Sequence, residues 1–191
     1  MNKKKLIIIL VIVIFAIIIV AAIAGQSNNS QNEGQSKNVN IKKKIIYHIG
    51  DTVHLGKFSF KLKSSKVTDS VGAYGFESNA QKGNIYIAIV WKYTNLSKKP
   101  VSAFSVPSVH LINNKGDVYS SDIGATSSYA TEIHGETNVI SNINPGVSYT
   151  GIKVFEISKD YLNKNKWFIK VKNNGSKALF EISVFNDNSS K

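Results

Sequence analysis

An uncharged apolar run near the N-terminus constrains this chain more than any other feature of its sequence. Leu6 to Ala24 spans nineteen residues, almost all of them Ile, Leu, Val, Ala or Phe, and directly follows Lys3 to Lys5. As a helix this run would be roughly 28 Å long, close to the ~30 Å hydrocarbon core of a bilayer. Because basic residues beside a membrane span stay in the cytoplasm, we expect the chain after Ala24 to lie on the extracytoplasmic side.

Two interpretations of residues 1–25 remain open. A retained, single-pass membrane anchor is favoured because the run exceeds the roughly 7–15 apolar residues of a secretory signal and contains no Gly or Pro before Gly25. A cleaved signal peptide is indicated by Ala22-Ile23-Ala24, which fits a small-residue cleavage site and would release a secreted protein near Ala24. A buried core helix is disfavoured, because the run has no polar face.

Residues 26–44 are predicted to form a disordered linker. This segment is rich in Asn, Gln, Ser and Lys and has almost no apolar side chains, so it cannot bury enough surface to fold. It would hold the following domain about 25 Å from the bilayer on average. Residues 45–188 are long enough to form one domain with its own core.

The residue types that are missing exclude several kinds of function. The chain has no Cys, which removes disulfides, thiolate metal sites and cysteine nucleophiles. All 24 basic residues are Lys and the formal net charge is +12. Without Arg to grip phosphate or guanine through two hydrogen bonds, a nucleic-acid-binding role is disfavoured. The lysines either form a solvated surface or attract anionic lipid or an acidic cell-wall polymer.

From Ile45 onward the apolar residues alternate with polar ones, which is typical of strands with one buried face. Phe58, Phe60 and Leu62 show this most clearly, and the segment 84–95, apolar on both faces, predicts a central strand. The segments that predict strands are 45–49, 52–55, 58–63, 84–95, 101–106, 109–112, 118–120, 148–157, 167–171 and 178–184. Short strands of this kind with no helices between them favour an all-β fold, an antiparallel immunoglobulin-like β-sandwich.

Other local signals complete this expected sandwich. Two long segments, 69–83 and 121–142, have no sustained periodicity and predict irregular connections. Ser158 is expected to cap one short helical turn. Trp91 and Trp167 are predicted to fill the core, in place of the Cys–Trp–Cys arrangement of antibody domains.

Five segments resemble an uncharacterised bacterial immunoglobulin-like extracytoplasmic domain, the domain of unknown function 4352: residues 47–53, 58–60, 83–101, 144–146 and 154–157. That domain is common in lipoproteins and exported proteins of Gram-positive bacteria, and its fold is similar to that of a small secreted mycobacterial antigen. The resemblance covers roughly residues 45–185 and implies a β-sandwich with no catalytic residues to transfer. Gln26 stands where a lipobox would have its Cys, so lipid attachment is not expected.

The sequence has no convincing catalytic or metal-binding motif. None of the four histidines has an H-x-H or H-E-x-x-H spacing. His48, Asp51 and His54 surround one turn and could converge on a metal, although such side chains are usually just exposed. Asp117 and Asp122 flank strand ends, where acids commonly stabilise turns and less often bind calcium. We therefore expect no enzymatic activity, no cofactor and no metal.

A binding surface is expected at one end of the sandwich. The segments 69–83 and 121–142 supply adaptable polar groups together with Tyr74, Phe76 and Tyr129. These segments could equally be inert connections; exposed aromatics would favour binding, and buried aromatics would favour inert loops. The function that the sequence favours is a membrane-anchored extracytoplasmic module that binds an envelope protein or an anionic cell-wall polymer. The alternative is a secreted or structural envelope accessory protein without a dedicated ligand.

Overall fold

Residues 45–134 and 141–184 are the part of the chain that this computed structural model describes, and they contain ten strands and two α-helices. The strands are β1 (Thr52–Leu55), β2 (Phe58–Thr68), β3 (Ser70–Val71), β4 (Ser78–Asn79), β5 (Asn84–Asn95), β6 (Ser108–Asn113), β7 (Val118–Tyr119), β8 (Ser148–Ser158), β9 (Trp167–Asn173) and β10 (Ser176–Ile182). The helices are α1 (Ile123–Glu132) and α2 (Lys159–Leu162), and a 3₁₀ turn covers Ala103–Ser105.

The expected anchor or signal peptide, residues 1–25, and the expected linker, residues 26–44, lie outside the described residues. Within residues 45–134 and 141–184, no helix has the length and apolarity that crossing a bilayer requires.

Two antiparallel four-stranded sheets face each other. Sheet 1 has the strand order β1-β2-β5-β8, and sheet 2 has the order β10-β9-β6-β7. Apolar side chains from both sheets form one buried cluster between them, in which the rings of Phe60 and Phe180 lie 5.5 Å apart. The antiparallel β-sandwich predicted from the alternating pattern is therefore confirmed.

The strand order differs from that of a constant-type immunoglobulin domain. In such a domain the second and third strands lie in different sheets. Here β1, β2 and β5 are neighbours within sheet 1, and the small β3-β4 hairpin lies between β2 and β5 in the sequence. The molecule thus has the sandwich architecture with a different connection of its strands.

Strand β5 is central, as its two apolar faces predict. It lies between β2 and β8 in sheet 1. Ile87 and Ile89 belong to the cluster between the sheets, whereas Tyr86 and Ala88 belong to a second cluster on the outer face of sheet 1. A strand covered on both faces needs apolar residues at successive positions, which explains its uninterrupted run.

The two tryptophans occupy the core, which confirms their predicted role. Both are buried between the sheets. The Nε1–H of Trp167 donates to the backbone oxygen of Leu162 at 3.0 Å, so its one polar group is satisfied.

Helix α1 occupies a segment that the sequence predicts to be irregular, and that prediction was wrong. The Oδ1 of Asp122 accepts from the Ala125 N–H at 2.9 Å and caps the helix. Ala125, Tyr129 and Ala130 are buried on the outer face of sheet 1 beside Val154. The signal was weak because only three of the ten helical residues are buried, and small or polar residues fill most of the rest.

Three smaller predictions also differ from the structure. The segment 101–106 is not a strand: Val101 forms an isolated bridge with Ile143, and the 3₁₀ turn follows. Within 45–49, Tyr47 alone forms a bridge, to Phe180. Ser158 holds the N-cap position of α2, but its side chain makes no capping hydrogen bond.

Candidate functional site

The two segments expected to form a binding surface do meet, but they meet as a packed layer. The Glu132 side chain of α1 accepts from the Gly72 N–H at 3.0 Å and from the Lys66 amine at 2.7 Å. The Ser78 and Ser128 hydroxyls lie 2.8 Å apart. The Gly72 and Ser78 contacts join segment 69–83 to α1, and the Lys66 contact joins α1 to β2. Segment 69–83 and α1 together cover part of the outer face of sheet 1.

The aromatic residues of this layer divide between core and surface. Tyr129 is 5% exposed and belongs to the buried cluster, which favours the interpretation of α1 as a structural cover. Tyr74 is 76% exposed and Phe76 is 66% exposed. Among the described residues of this layer, Tyr74 and Phe76 at the tip of segment 69–83 are therefore the aromatic side chains that face solvent.

The acidic residues considered as metal ligands instead accept hydrogen bonds within turns or at a helix N-terminus. The Oδ2 of Asp51 accepts from the His48 backbone N–H at 2.8 Å, and His54 is exposed on β1. Asp117 accepts from the Asn113 side-chain amide at 2.8 Å within the β6–β7 hairpin, and Asp122 caps α1. Across residues 45–134 and 141–184, no three His, Asp or Glu side chains converge as a metal site would require.

A positively charged surface lies on the outer face of sheet 2. Lys170 and Lys172 alternate with the buried Ile169 and Val171 on β9, so both point away from the core. In the antiparallel register Lys172 is directly opposite Lys177 of β10. Lys170 is directly opposite His110 of β6. We call Lys170, Lys172, Lys177 and His110 the lysine face.

A tight turn fixes the register of this surface. The β9–β10 loop is Asn174-Gly175, and both residues have positive φ, 42° and 80°. A two-residue loop of this kind is a type I′ turn, whose twist matches that of the flanking strands. The turn thereby places Lys172 and Lys177 side by side.

The electrostatics of His110 report the positive potential of this surface. Burial lowers the pKa of His110 below its ordinary value, and the charges of Lys153, Lys172 and Lys170 lower it further. A neighbouring positive charge disfavours the protonated imidazole, which is the physical cause of the second effect. Among the described positions on this face the one acidic side chain is Glu181, four residues beyond Lys177 on β10.

Lys153 approaches this region from the other sheet. It lies on the inner face of β8, and its amine donates to the backbone oxygen of Val109 in β6 at 2.9 Å. Burial lowers the pKa of Lys153. Its charge therefore lies between the sheets, close to the lysine face.

Two clefts flank Lys172. One has a volume of about 220 Å³ and is lined by the 3₁₀ turn, Ser108, Lys172 and the end of β9. The other has a volume of about 270 Å³ and is lined by Lys170, Lys172, Lys177 and the β9–β10 turn. Both clefts are open, so the site can take an extended ligand rather than enclose a small one.

Sequence reasoning missed the lysine face, although a usable signal exists. Lys170 and Lys172 stand two residues apart, which predicts one face of a strand, and Asn174-Gly175 predicts a two-residue hairpin. Together these features place Lys177 opposite Lys172. The position of His110 depends on the pairing of β6 with β9, which no local pattern reveals.

Comparison with known proteins identifies relatives for most of the described chain. A family described as a domain of unknown function, DUF4352, matches residues 47–169. The chain is 38% identical over 128 residues to the uncharacterized protein YxkC of Bacillus subtilis (strain 168), which is 66% of this chain and 71% of that protein.

Solved structures show the same architecture. A conserved hypothetical protein from Bacillus anthracis is similar with a TM-score of 0.63 and 27% identity, over 70% of this chain and 94% of that chain. An uncharacterized β-sandwich protein from Clostridium difficile 630 is similar with a TM-score of 0.52 and 15% identity, over 81% of this chain and 100% of that chain. The second likeness shows the fold alone.

Proposed function

Since this chain belongs to the DUF4352 family, a domain of unknown function, we propose that it is a membrane-anchored extracytoplasmic module whose lysine face binds an anionic polymer of the bacterial cell envelope. The domain is immunoglobulin-like in architecture rather than in strand order. It acts without catalysis and without a cofactor. Its similarity to a Bacillus subtilis protein supports a Gram-positive envelope as its setting.

One observation carries the proposal, which is the clustering of lysines on one face of sheet 2. Lys172 and Lys177 are directly opposite each other across β9 and β10. Like charges in this position destabilise a sheet. When an anionic partner binds, its negative charge neutralises the two lysines and removes the repulsion between them. Such a pair is therefore typical of a surface that binds an anion.

Lysine suits a flexible polyanion better than a planar, defined ligand. Its amine is a compact point charge on a mobile stem, whereas Arg offers a rigid fork for bidentate recognition. The open clefts beside Lys172 also fit a chain that passes over the surface. Binding of this kind is electrostatic, so we expect its affinity to fall as salt concentration rises.

The test compares two triple variants with the same change in charge. The full-length protein in detergent micelles is titrated with poly(glycerol phosphate) at low and moderate salt. K170Q/K172Q/K177Q is expected to bind about tenfold more weakly than wild type, the ratio that a loss of about 1.4 kcal/mol produces. K98Q/K99Q/K115Q removes three exposed lysines outside this face and is expected to bind within about twofold of wild type.

The outcomes separate the proposal from its alternative. Equal losses in the two triple variants would show a diffuse charge effect and contradict a defined binding face. No binding by wild type to this polymer or to inorganic polyphosphate would favour an accessory envelope protein without a dedicated ligand. That alternative draws support from Tyr129, whose burial makes α1 a structural cover.

Anchoring is tested separately from binding. The mass of the mature protein in a membrane fraction distinguishes a retained segment 1–25 from one cleaved near Ala24. Protease added to intact cells is expected to digest the domain. Digestion only after lysis would contradict an extracytoplasmic location.

A further inference from the structure

The outer face of sheet 1 changes character along its strands. On β5, Tyr86 belongs to the buried cluster beneath α1, whereas Lys92, further along the same side of the strand, is exposed. The same change occurs on β8, where Val154 is buried beneath α1 and Thr150 is only half-buried. This face therefore has an apolar half beneath α1 and a polar half that is open to solvent.

Two rows of side chains cross the open half from one edge of sheet 1 to the other. The strand register of β1, β2, β5 and β8 gives the first row as Thr52, Lys61, Lys92 and Thr150. The second row is His54, Ser59, Thr94 and Ser148. The spacing between strands makes each row about 14 Å long. We call these two rows the polar face; they contain no acidic side chain.

A pair of lysines lies at the centre of the polar face. Lys61 and Lys92 are directly opposite each other across β2 and β5, and like charges in this position destabilise a sheet. Among the described residues, neither of them forms an ion pair. Lys66, on the covered half of β2, instead pairs with Glu132 of α1 at 2.7 Å. The sheet thus neutralises a lysine beneath α1 and leaves two lysines without a counter-charge where the face is open.

Hydroxyl groups surround this lysine pair. Thr52 and Thr150 stand at the two ends of the first row. In the second row the Thr94 and Ser148 hydroxyls lie 2.8 Å apart, a contact that uses one of their two protons and leaves the other to donate elsewhere. Ammonium and hydroxyl groups are both donors to phosphate oxygens. A flat row of such donors fits a chain of phosphates that lies across the strands.

The charges beside the polar face keep its potential positive. Lys57 in the β1–β2 turn and Lys63 at the bulge of β2 are exposed next to it. Asp51 precedes Thr52 in the chain, and its Oδ2 accepts from the His48 backbone N–H at 2.8 Å within the turn. Lysine thus outnumbers acid around these rows, so the polar face attracts a polyanion.

We propose that the polar face is a second binding face for the same anionic polymer, so that one molecule bridges two polymer chains. This inference rests on the proposed binding at the lysine face and adds a second site to it. The two sheets pack about 10 Å apart with their outer faces in opposite directions, so a short chain cannot occupy both faces. With two central lysines instead of three, the polar face is the weaker site and supplies the binding that K170Q/K172Q/K177Q retains.

The first test counts the sites with a tetramer of glycerol phosphate, titrated into the full-length protein in detergent micelles and followed by NMR. In wild type we expect the amide resonances of Lys61 and Lys92 to shift, with a higher Kd than those of Lys172 and Lys177. K61Q/K92Q is expected to weaken binding at the polar face about fivefold and to leave the Kd of the lysine face within about twofold of wild type.

A matched control removes the same charge elsewhere. K115Q/K164Q replaces two exposed lysines in loops outside both faces and is expected to leave both affinities within about twofold of wild type. Lys61 and Lys92 lie on an outer face and repel each other, so K61Q/K92Q is expected to keep or raise the melting temperature of wild type. A lost affinity in that variant therefore cannot come from misfolding.

The second test measures bridging. Full-length protein in nanodiscs that hold one copy each is bound to immobilised poly(glycerol phosphate), and a fluorescently labelled second chain of the same polymer is then added. Wild type and K115Q/K164Q are expected to capture the labelled chain. K61Q/K92Q is expected to stay bound to the immobilised polymer through the lysine face and to capture about fivefold less of the labelled chain.

Failure of this inference differs from failure of the proposed function. If the tetramer shifts resonances of the lysine face alone, or if K61Q/K92Q captures as much labelled chain as wild type, the second face is wrong and the polyanion site on sheet 2 stands. If the tetramer shifts both faces but wild type captures no second chain, bridging is wrong. If wild type binds neither the tetramer nor the long polymer, the proposed function itself is wrong.

Discussion

The indole of Trp91 lies directly over the backbone of Gly151, its partner in the register of β5 and β8. A Cβ atom placed on Gly151 would lie 2.3 Å from Cε2 and 2.4 Å from Cζ2 of that ring. Real Cβ contacts are never this short, so the glycine is what allows the tryptophan to fill the core at this position. The relationship explains why a glycine interrupts an otherwise side-chain-rich strand.

We predict that Gly151→Ala lowers the free energy of unfolding by about 1–3 kcal/mol, because the new methyl group must displace the indole from a packed interior. Denaturant unfolding followed by tryptophan fluorescence measures the change. Gly124→Ala is the matched control. Gly124 lies in α1, and the nearest atom to its new Cβ would be the Asp122 Oδ1 at 3.4 Å, an ordinary van der Waals distance. In a helix, alanine is more stable than glycine by about 0.5–1 kcal/mol. Equal stability of Gly151→Ala and wild type would contradict the close packing.

Glu132 is predicted to stabilise the α1 layer at neutral pH and to lose this contribution at acid pH. Burial alone would raise its pKa, but hydrogen bonds from Lys66 and Gly72 and the charge of Lys66 outweigh burial, so the net pKa lies below its ordinary value. A carboxylate with a lowered folded pKa stabilises the fold above its unfolded pKa of about 4.3, and the contribution is lost as pH falls through the folded pKa.

The corresponding experiment compares Glu132→Gln with wild type by thermal unfolding at two pH values. At pH 7 the variant is expected to be less stable by about 1 kcal/mol, and the difference is expected to shrink near pH 3. Asp69→Asn is the control, because the Asp69–Lys159 ion pair is exposed and contributes little. A difference that stays constant with pH would contradict the role of the charge.

The lysine face is predicted to lower the free energy of unfolding of the domain. Replacing Lys170, Lys172 and Lys177 by Gln removes the like-charge pair across β9 and β10 and is expected to raise the free energy of unfolding by up to about 1 kcal/mol. Denaturant unfolding without any polymer measures this, with K98Q/K99Q/K115Q as the control that stays close to wild type. A clear loss of stability would mean that the lysine stems are needed for packing.

His110 is predicted to sense a bound polyanion. Burial and the charges of Lys153, Lys172 and Lys170 hold its pKa below the ordinary value. Negative charge placed over the lysine face offsets those lysines, so poly(glycerol phosphate) should raise the pKa, as observed by NMR titration of the ring protons. In K170Q/K172Q/K177Q the pKa is expected to rise without polymer and to respond little to its addition. A pKa that polymer leaves unchanged in wild type would exclude binding near His110.

The strands were predictable because their patterns are local. Alternation marked Phe58, Phe60 and Leu62, and the doubly apolar run 84–95 marked the central strand, since burial on two faces leaves a continuous signature. Trp91 and Trp167 were predicted to be buried because each stands within one of these apolar patterns. Each of these features depends on residues that stand close together in the sequence.

Other features depended on partners that are distant in the sequence. Helix α1 is held by Val154 and Tyr86, which come from β8 and β5, and its own residues carry little helical periodicity. The lysine face combines β6 with β9 and β10, so His110 and Lys170 meet only once the sheet is formed. Tertiary pairing of this kind is decided by the whole fold and leaves no local pattern.

The inward-facing amine of Lys153 bears on whether copies of this protein can aggregate through the edge of sheet 1. Strand β8 is the outermost strand of sheet 1, and an outermost strand can accept a strand from another molecule and so begin a fibre. Part of this edge is already occupied, because the Val154 backbone oxygen accepts from the Asp122 N–H at 2.8 Å and the Val154 N–H donates to the Thr126 hydroxyl at 3.0 Å. An inward-pointing charge on an edge strand, such as Lys153, further disfavours the addition of a strand. Even at high local density, the sandwich thus carries a built-in deterrent to polymerising through this border.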